Sequence, residues 1–346
     1  MKAAPVVRAL MEREPETELL LVHTGQHYDS GMSAVFIDEL ELPEPDVFLG
    51  VGSGTHAEQT AKALVGVEEV LLAHTPALVV VAGDVNSTLA AALAGSKLRI
   101  AVAHIESGLR SFDESMPEET NRVLTDHLST ILFTHSDSAV ENLAREGIDM
   151  SRVHEIGNTM IDSVFRYLPT AEQRQPWSRL GVEPGAYGLV TLHRPALVDD
   201  AQLLLRTLEA LTELARTSPV LFPVHPRTES RIAAAGVRAD LLARSGVRLT
   251  SPLSYLDFLG LEANARFVLT DSGGIQEETS ALDVKCFTLR DTTERPVTFE
   301  RGTNTMLGMD PDRIRTIPAL LESDTRPHGQ IPLWDGRAGE RAADVI

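Results

Sequence analysis

The stretch Phe267-Val268-Leu269-Thr270-Asp271-Ser272-Gly273-Gly274-Ile275-Gln276-Glu277-Glu278 decides how the rest of the chain is read. Its first four residues, apolar or β-favouring, predict a short buried strand. Asp271 to Gly274 read as a tight turn, and Ile275 to Leu282 as the helix that follows, with Ser272 as N-cap candidate. Two glycines let backbone come close to a ligand, and a helix start offers unpaired N–H groups. Both suit an anion, of which a diphosphate is the natural example. A plain strand–helix turn would use the same glycines for backbone reasons. Glu278 falls about one turn into the helix, within reach of a hydroxyl on the same ligand.

The same strand-then-helix alternation extends in both directions. Downstream of residue 175, strands are read at Tyr187–Leu192, Val220–Val224, Val247–Leu249 and Cys286–Leu289. Upstream they are read at Leu19–His23, Leu78–Ala82, Ile100–Ile105, Ile131–Thr134 and Val153–Ile156, with helices at 2–14, 33–40, 57–73 and from Pro117 to Leu128. Alternation of this kind predicts an α/β chain with two Rossmann-like, doubly wound parallel sheets. Phe165–Trp177 is polar, carries two prolines and reads as a linker. The expected domains are 1–165 and 175–330, with 331–346 packing back toward the first. Ligands of such folds lie beyond the carboxyl ends of the strands, which suggests a cleft between the domains.

At 346 residues the chain is long enough for two full cores. A net charge of −19 argues against a nucleic-acid partner, which needs a basic surface, but leaves room for a nucleotide held by a few local cations. The lone cysteine, Cys286, excludes an intrachain disulfide and a cysteine metal cluster, and its apolar setting reads as a small buried residue. No apolar run reaches membrane-spanning length, and Arg8, Glu12 and Arg13 interrupt the N-terminal segment, so no membrane association and a cytoplasmic setting are expected.

Three acids sit where chemistry would be placed. Asp84 follows the run Val79–Gly83, Glu106 follows Ala101–Ile105, and Glu118 opens a helix after Pro117. Partial burial at a strand end can raise a carboxyl enough for proton transfer near neutral pH. Capping and loop roles account for such acids equally well one at a time. His104 and Glu106 lack a third ligand at convincing spacing, so no metal is expected. In the second half, His193 with Arg194, His225 with Arg227, and the cations of Arg290–Pro296 gather beside the glycine turn, as a diphosphate requires.

Taken together, His104-Ile105-Glu106-Ser107-Gly108-Leu109-Arg110, Pro117-Glu118-Glu119-Thr120-Asn121-Arg122, Thr270–Glu278 and Arg290–Pro296 resemble the non-hydrolysing UDP-N-acetylglucosamine 2-epimerases. Gly83-Asp84 and His193-Arg194 add to the match, which spans nearly the whole chain. The resemblance implies two Rossmann-like domains of glycosyltransferase-B type, a UDP-sugar substrate, a homodimer and no redox cofactor. It implies removal of the C2 proton with loss of UDP to give 2-acetamidoglucal, then re-addition with a proton delivered to the other face. By motif it implies Asp84, Glu106 and Glu118 as the acid–base set. His193, Ser272, Gly273 and Gly274 would hold the diphosphate, and Glu278 the ribose. Arg122 and Arg295 would contact sugar or phosphate, and Lys2 aligns with a lysine after the first βα turn.

The chain departs from that pattern at Pro195-Ala196-Leu197, at Asp283 and Lys285, and in the loop Gly50–Gln59, which lacks the glutamine-containing pattern of substrate-activated members. Weak or absent activation by substrate is therefore expected. A sibling epimerase on a UDP-diacetamido-uronic acid, a hydrolysing relative, and a UDP-sugar binding protein without turnover are the alternatives. Because the chain enters directly in a helix at Met1–Val7, an absent first strand is also expected.

Overall fold

In a computed structural model, residues 1–25, 39–237, 239–323 and 330–346 are described. The polar loop Gln26-His27-Tyr28-Asp29 and most of the helix read at 33–40 lie outside the described residues. The chain divides into two compact units, Met1–Ser163 with Pro332–Ile346, and Val164–Ile331.

Unit 1 begins with α1 (Ala4–Arg13), where Pro5 stands in the first turn and needs no hydrogen-bond partner for a missing N–H. Two short strands, β1 (Val22–His23) and β2 (Val47–Phe48), pair in parallel. The long helix α2 (His56–His74) starts on a capping box: the Glu58 N–H donates to Thr55 Oγ1 while the Thr55 N–H donates to the Glu58 carboxylate. Then come β3 (Leu78–Ala82), α3 (Asn86–Lys97), β4 (Ala101–Ile105), α4 (Pro117–Leu128), β5 (Ile131–Thr134), α5 (Asp137–Arg145) and β6 (Val153–Glu155). Strands β3 to β6 form a parallel sheet in chain order, with β3 at its edge and Val80 on that edge 38% exposed. The terminal helix α11 (Ala338–Val345) lays Ala338 and Ala342 against Val6, Ile105 and Phe133 in one core.

Helix α6 (Thr159–Gln173) carries the chain from unit 1 into unit 2. The stretch read as a linker, 165–177, is therefore corrected: it is helical through Gln173, with Pro169 inside the helix. An amphipathic apolar pattern, with Val164 and Ala171 buried, outweighs the propensity cost of one proline.

Unit 2 is one six-stranded parallel sheet. Its elements are β7 (Gly188–Thr191), α7 (Ala201–Leu214), β8 (Val220–Pro223), α8 (Pro226–Ala234), β9 (Val247–Thr250), α9 (Tyr255–Ala263), β10 (Phe267–Thr270), α10 (Gly273–Ala281), β11 (Cys286–Thr288) and β12 (Asn304–Met306). The strand order is β12-β11-β10-β7-β8-β9. All four residues of β10 are buried, as a strand covered on both faces requires. Gly188 of β7 stands opposite Phe267, and a Cβ there would lie 2.2 Å from the phenyl ring. A glycine is the residue that lets β7 and β10 pair past that ring. Cys286 is fully buried in β11, and burial pushes its thiol up to about 12.

Candidate active site

The deciding feature of unit 2 is where its winding reverses. From β7 the chain proceeds through β8 and β9 on one side, then returns to lay β10, β11 and β12 on the other. The reversal falls between β7 and β10, and loops at such a point diverge to leave a crevice beyond the strand ends. His193 and Arg194 follow β7, and Asp271 to Gly274 follow β10. Asp271 fixes the two loops to one another: one oxygen accepts the backbone N–H groups of His193 and Arg194, both at 2.8 Å, and the other lies 3.2 Å from His193 Nδ1. The His225 ring centroid is 6.2 Å from that of His193. Burial, then the His193 and Arg227 charges, push His225 below its ordinary value.

Helix α10 starts earlier than its sequence suggests. Gly273 and Gly274 form its first turn rather than a separate tight turn, and Ser272 makes no capping bond with its side chain. Ser272 takes the N-cap position expected of it, but its side chain makes no capping bond: its N–H donates to Thr270 Oγ1 at 2.9 Å, and the hydroxyl stays outside the helix's own bonding. The Arg295 guanidinium lies across Gly273, where a Cβ would sit 2.5 Å from Nη1. Glu277 and Glu294 hold Arg295 there at 3.0 Å each. Arg290 is tied to Glu294 at 2.7 Å, and burial pushes its guanidinium below the usual value despite that partner. A helix start, a fixed guanidinium and a glycine backbone thus meet at the switch point, a combination suited to a phosphate. Glu278 is buried further along the same helix.

In unit 1 the acids again stand at the carboxyl ends of the strands. Glu106, directly after β4, adopts φ +72°, a left-handed conformation that costs a non-glycine residue on the order of 1 kcal/mol. Its carboxylate pairs with Lys2, whose Nζ lies over Gly83 after β3. Asp84 pairs with Arg122 of α4, and the Asn121 amide donates to the Asp84 carbonyl at 2.9 Å. Arg122 is 2% exposed and also binds Glu119 at 2.9 Å. Glu118 stands half-buried in the first turn of α4. Lys2, Glu106 and His135, with Gly157, Asn158 and Thr159 at the start of α6, line a small hollow at this sheet edge.

Several supporting residues escaped the sequence reading. His104 is not available as a ligand: its Nδ1 lies 2.7 Å from Asp126 and its Nε2 2.8 Å from the Gly83 carbonyl. Burial works to raise the Asp126 carboxyl, but the bond from His104 and the Arg110 guanidinium at 2.7 Å hold it below its ordinary value. Arg110 is braced in turn by both Glu146 oxygens. Glu119 accepts the Ser111 and Phe112 N–H groups, shaping the loop before α4. His135 follows β5 as Glu106 follows β4, a strand-end position that was the available signal for it. The Trp334 indole N–H donates to its carbonyl at 2.8 Å.

Comparison with known proteins agrees with this geometry. Residues 9–346 match the family model for UDP-N-acetylglucosamine 2-epimerase. A UDP-N-acetylglucosamine 2-epimerase of Methanocaldococcus jannaschii is 41% identical over all of this chain and 95% of its own. A Pseudomonas aeruginosa UDP-2,3-diacetamido-2,3-dideoxy-D-glucuronate 2-epimerase is 38% identical over all of this chain and 96% of its own. The crystal structure of the M. jannaschii UDP-GlcNAc 2-epimerase in complex with UDP-GlcNAc and UDP superposes with a TM-score of 0.91, covering 99% of this chain and 95% of that one. With a family match running from residue 9 to the last and a relative 41% identical over the whole chain, the chain belongs to the UDP-N-acetylglucosamine 2-epimerase family.

Proposed function

We propose that this protein interconverts UDP-N-acetylglucosamine and UDP-N-acetylmannosamine without hydrolysing the nucleotide sugar. The observation that carries the reading is the switch point of unit 2, where Arg295 is fixed across Gly273 beside the loops that Asp271 ties together. A C2 epimerisation that passes through 2-acetamidoglucal must hold UDP while it is detached from the sugar. That demands cations and N–H groups locked in place beforehand, because electrostatic stabilisation of the departing diphosphate is worth most when no reorganisation is needed. Ser272, Gly273, Gly274 and His193 hold the diphosphate, Arg295 contributes its charge, and Glu278 accepts the ribose hydroxyls.

The acid–base work falls to Asp84, Glu106 and Glu118. Lys2 and Arg122 touch two of these carboxylates, so their part is to set charge and orientation as well as to contact substrate. The reading also includes a homodimer, which sedimentation velocity tests.

The deciding experiment is an NMR time course on UDP-N-acetylglucosamine in deuterated, chelator-treated buffer. The expected result is a UDP-N-acetylmannosamine signal with deuterium at C2. Free N-acetylmannosamine would assign a hydrolysing enzyme. No exchange at C2 would leave a binding protein and overturn the proposal. The identity to the P. aeruginosa relative makes the corresponding diacetamido-uronic acid nucleotide the comparison substrate. Faster turnover of that compound would move the assignment to it.

A further inference from the structure

The turn that carries Asp84 leaves β3, the edge strand of its sheet, and side chains stitch it in place. The Gly83 N–H still donates to the Ile105 carbonyl of β4, at 3.1 Å. Three successive carbonyls then each accept a side-chain donor. Ala82 accepts from Thr88 Oγ1 at 3.0 Å, Gly83 lies 2.8 Å from His104 Nε2, and Asp84 accepts from Asn121 Nδ2 at 2.9 Å. Of the three donors, His104 is the one whose other end meets a buried charge. Its Nδ1 lies 2.7 Å from Asp126 Oδ1. Asp126 Oδ2 accepts the Gly108 N–H at 3.0 Å and faces Arg110 Nη1 at 2.7 Å. His104 and Asp126 are both 0% exposed.

These partners dictate where the ring carries hydrogens. A peptide carbonyl only accepts, so Nε2 must donate to Gly83. Asp126, beside a guanidinium and an N–H group, stands as the carboxylate, which also only accepts, so Nδ1 must donate as well. Charge then balances across the cluster, with His104 and Arg110 facing Asp126 and Glu146, whose two oxygens both bond to Arg110. His127, at the surface, stands 3.5 Å from Glu146. Around Gly83 itself the charged neighbours are Lys2 and Glu106, 3.0 and 3.5 Å from where a Cβ would sit.

We propose that His104 is a positioning residue for Asp84: its ring, donating from both nitrogens, ties the Gly83 carbonyl to the buried Asp126 carboxylate and so fixes the turn from which Asp84 acts. The inference rests on the acid–base role proposed above for Asp84. Gly83 adopts φ +72° and has no side chain of its own to restrain the turn. A shift of about 1 Å in a reacting group can cost on the order of 10²-fold in rate, so an anchor sunk in an ion cluster matters to turnover.

His104→Gln and His104→Asn in the full chain separate the two bonds. Counted along the side chain from Cα, the glutamine amide nitrogen falls where Nε2 lies and the asparagine nitrogen where Nδ1 lies. Glutamine therefore keeps the donor to Gly83 and gives up Asp126, and asparagine does the reverse. A bond to a charged group is worth more than one to a neutral carbonyl, so His104→Gln should have the lower Tm. It should nonetheless turn over UDP-N-acetylglucosamine at least about tenfold faster than His104→Asn, with KM and the calorimetric affinity for UDP alike in the two. A residue that only stabilises the core would rank the variants the same way in Tm and in kcat; that ranking, or equal kcat values, overturns the proposal.

Asp84→Asn measured alongside separates the proposal from the reading beneath it. If that variant turns over like the wild type, the acid–base role falls and the positioning role with it. If it is slow while His104→Asn is not, the positioning role alone falls. Nitrogen-15 spectra of the wild-type protein in the assay buffer test the ring independently, and they decide the matter if neither His104 variant folds. A hydrogen on each His104 ring nitrogen is expected, and a bare nitrogen at either position overturns the proposal.

Discussion

Two sets of buried carboxyls, Asp126 in unit 1 and Glu262 with Glu278 in unit 2, are held in opposite ways. In unit 1, Asp126 sits among Arg110, His104 and the Gly108 N–H, and the cation and donors keep it ionised in spite of full burial. In unit 2, Glu262 and Glu278 are buried without a described cation of that unit paired to either, and burial pushes both up. Depth is the same in both places, so neighbours decide the sign. The consequences for stability run in opposite directions. Asp126, held low, contributes stability that is present above the ordinary carboxylate value and is lost as pH falls through that range. Glu262 and Glu278, held high, contribute stability that is present in acid and is lost as pH rises through their folded values. The surroundings of Asp126 keep a charge, and those of Glu262 and Glu278 favour the neutral form.

The contrast breaks most visibly if the unit 1 cation is removed. Arg110→Met leaves Asp126 and Glu146 without their guanidinium, and stability measured by urea unfolding should fall by about 3–5 kcal/mol, the usual cost of orphaning a buried charge. Stability unchanged within error would mean that Asp126 is neutral and the contrast false.

Next in size come the proposed acid–base residues. Asp84→Asn, Glu106→Gln and Glu118→Gln should each slow turnover by about 10²-fold or more while UDP affinity by calorimetry stays the same. Loss of UDP binding with turnover intact would show the roles of the two units to be reversed. A smaller effect is expected at Gly273→Ala. The new methyl group would sit 2.5 Å from Arg295 Nη1 and press the guanidinium off Glu277 and Glu294, so UDP affinity should fall by roughly tenfold, or about 1.4 kcal/mol, with a lower Tm. The smallest effect on stability belongs to Ser272→Ala. With no capping bond to lose, Tm should report a change within about 0.5 kcal/mol, below the roughly 0.5–2 kcal/mol typical of a capping serine. UDP affinity of the same variant should drop if the hydroxyl is reserved for the ligand.

Elements with strong periodicity were legible in the sequence to within a residue or so. The strands Leu78–Ala82, Ile131–Thr134 and Phe267–Thr270 are short apolar or β-favouring runs, and the structure keeps those limits. The strands β2 and β12 were not legible. Val47–Phe48 has two residues, and Asn304–Met306 is polar enough to pass for a loop; each exists because a neighbouring strand offers a free edge. The helical linker was hidden by Pro169, whose local cost is outweighed by tertiary burial. At the site, Asp84, Glu106 and His193 announced themselves by following apolar runs. The bracing pairs behind them did not: Asp126 lies 22 residues from His104, and Glu146 lies 36 residues from Arg110. Pairing across such distances is a property of the folded sheet and leaves no periodic trace. The burial of Glu262 left no trace either, since an acid in a largely apolar helix reads as an exposed position.

Unit 1 is discontinuous along the chain: its core includes Ala338 and Ala342, and Trp334 closes over His135. Unit 2 is an unbroken run, Val164–Ile331. During synthesis, domains fold roughly as they emerge from the ribosome. Unit 1 is made first, yet it waits for its closing segment, Pro332–Ile346, while the whole of unit 2 is translated and folds. Through that interval, the faces of Val6, Ile105 and Phe133 that α11 will cover stay open to solvent and to chaperones. The order of birth and the order of completion are therefore reversed, and a chain truncated before α11 would keep every residue of unit 2 while leaving the core of unit 1 uncovered.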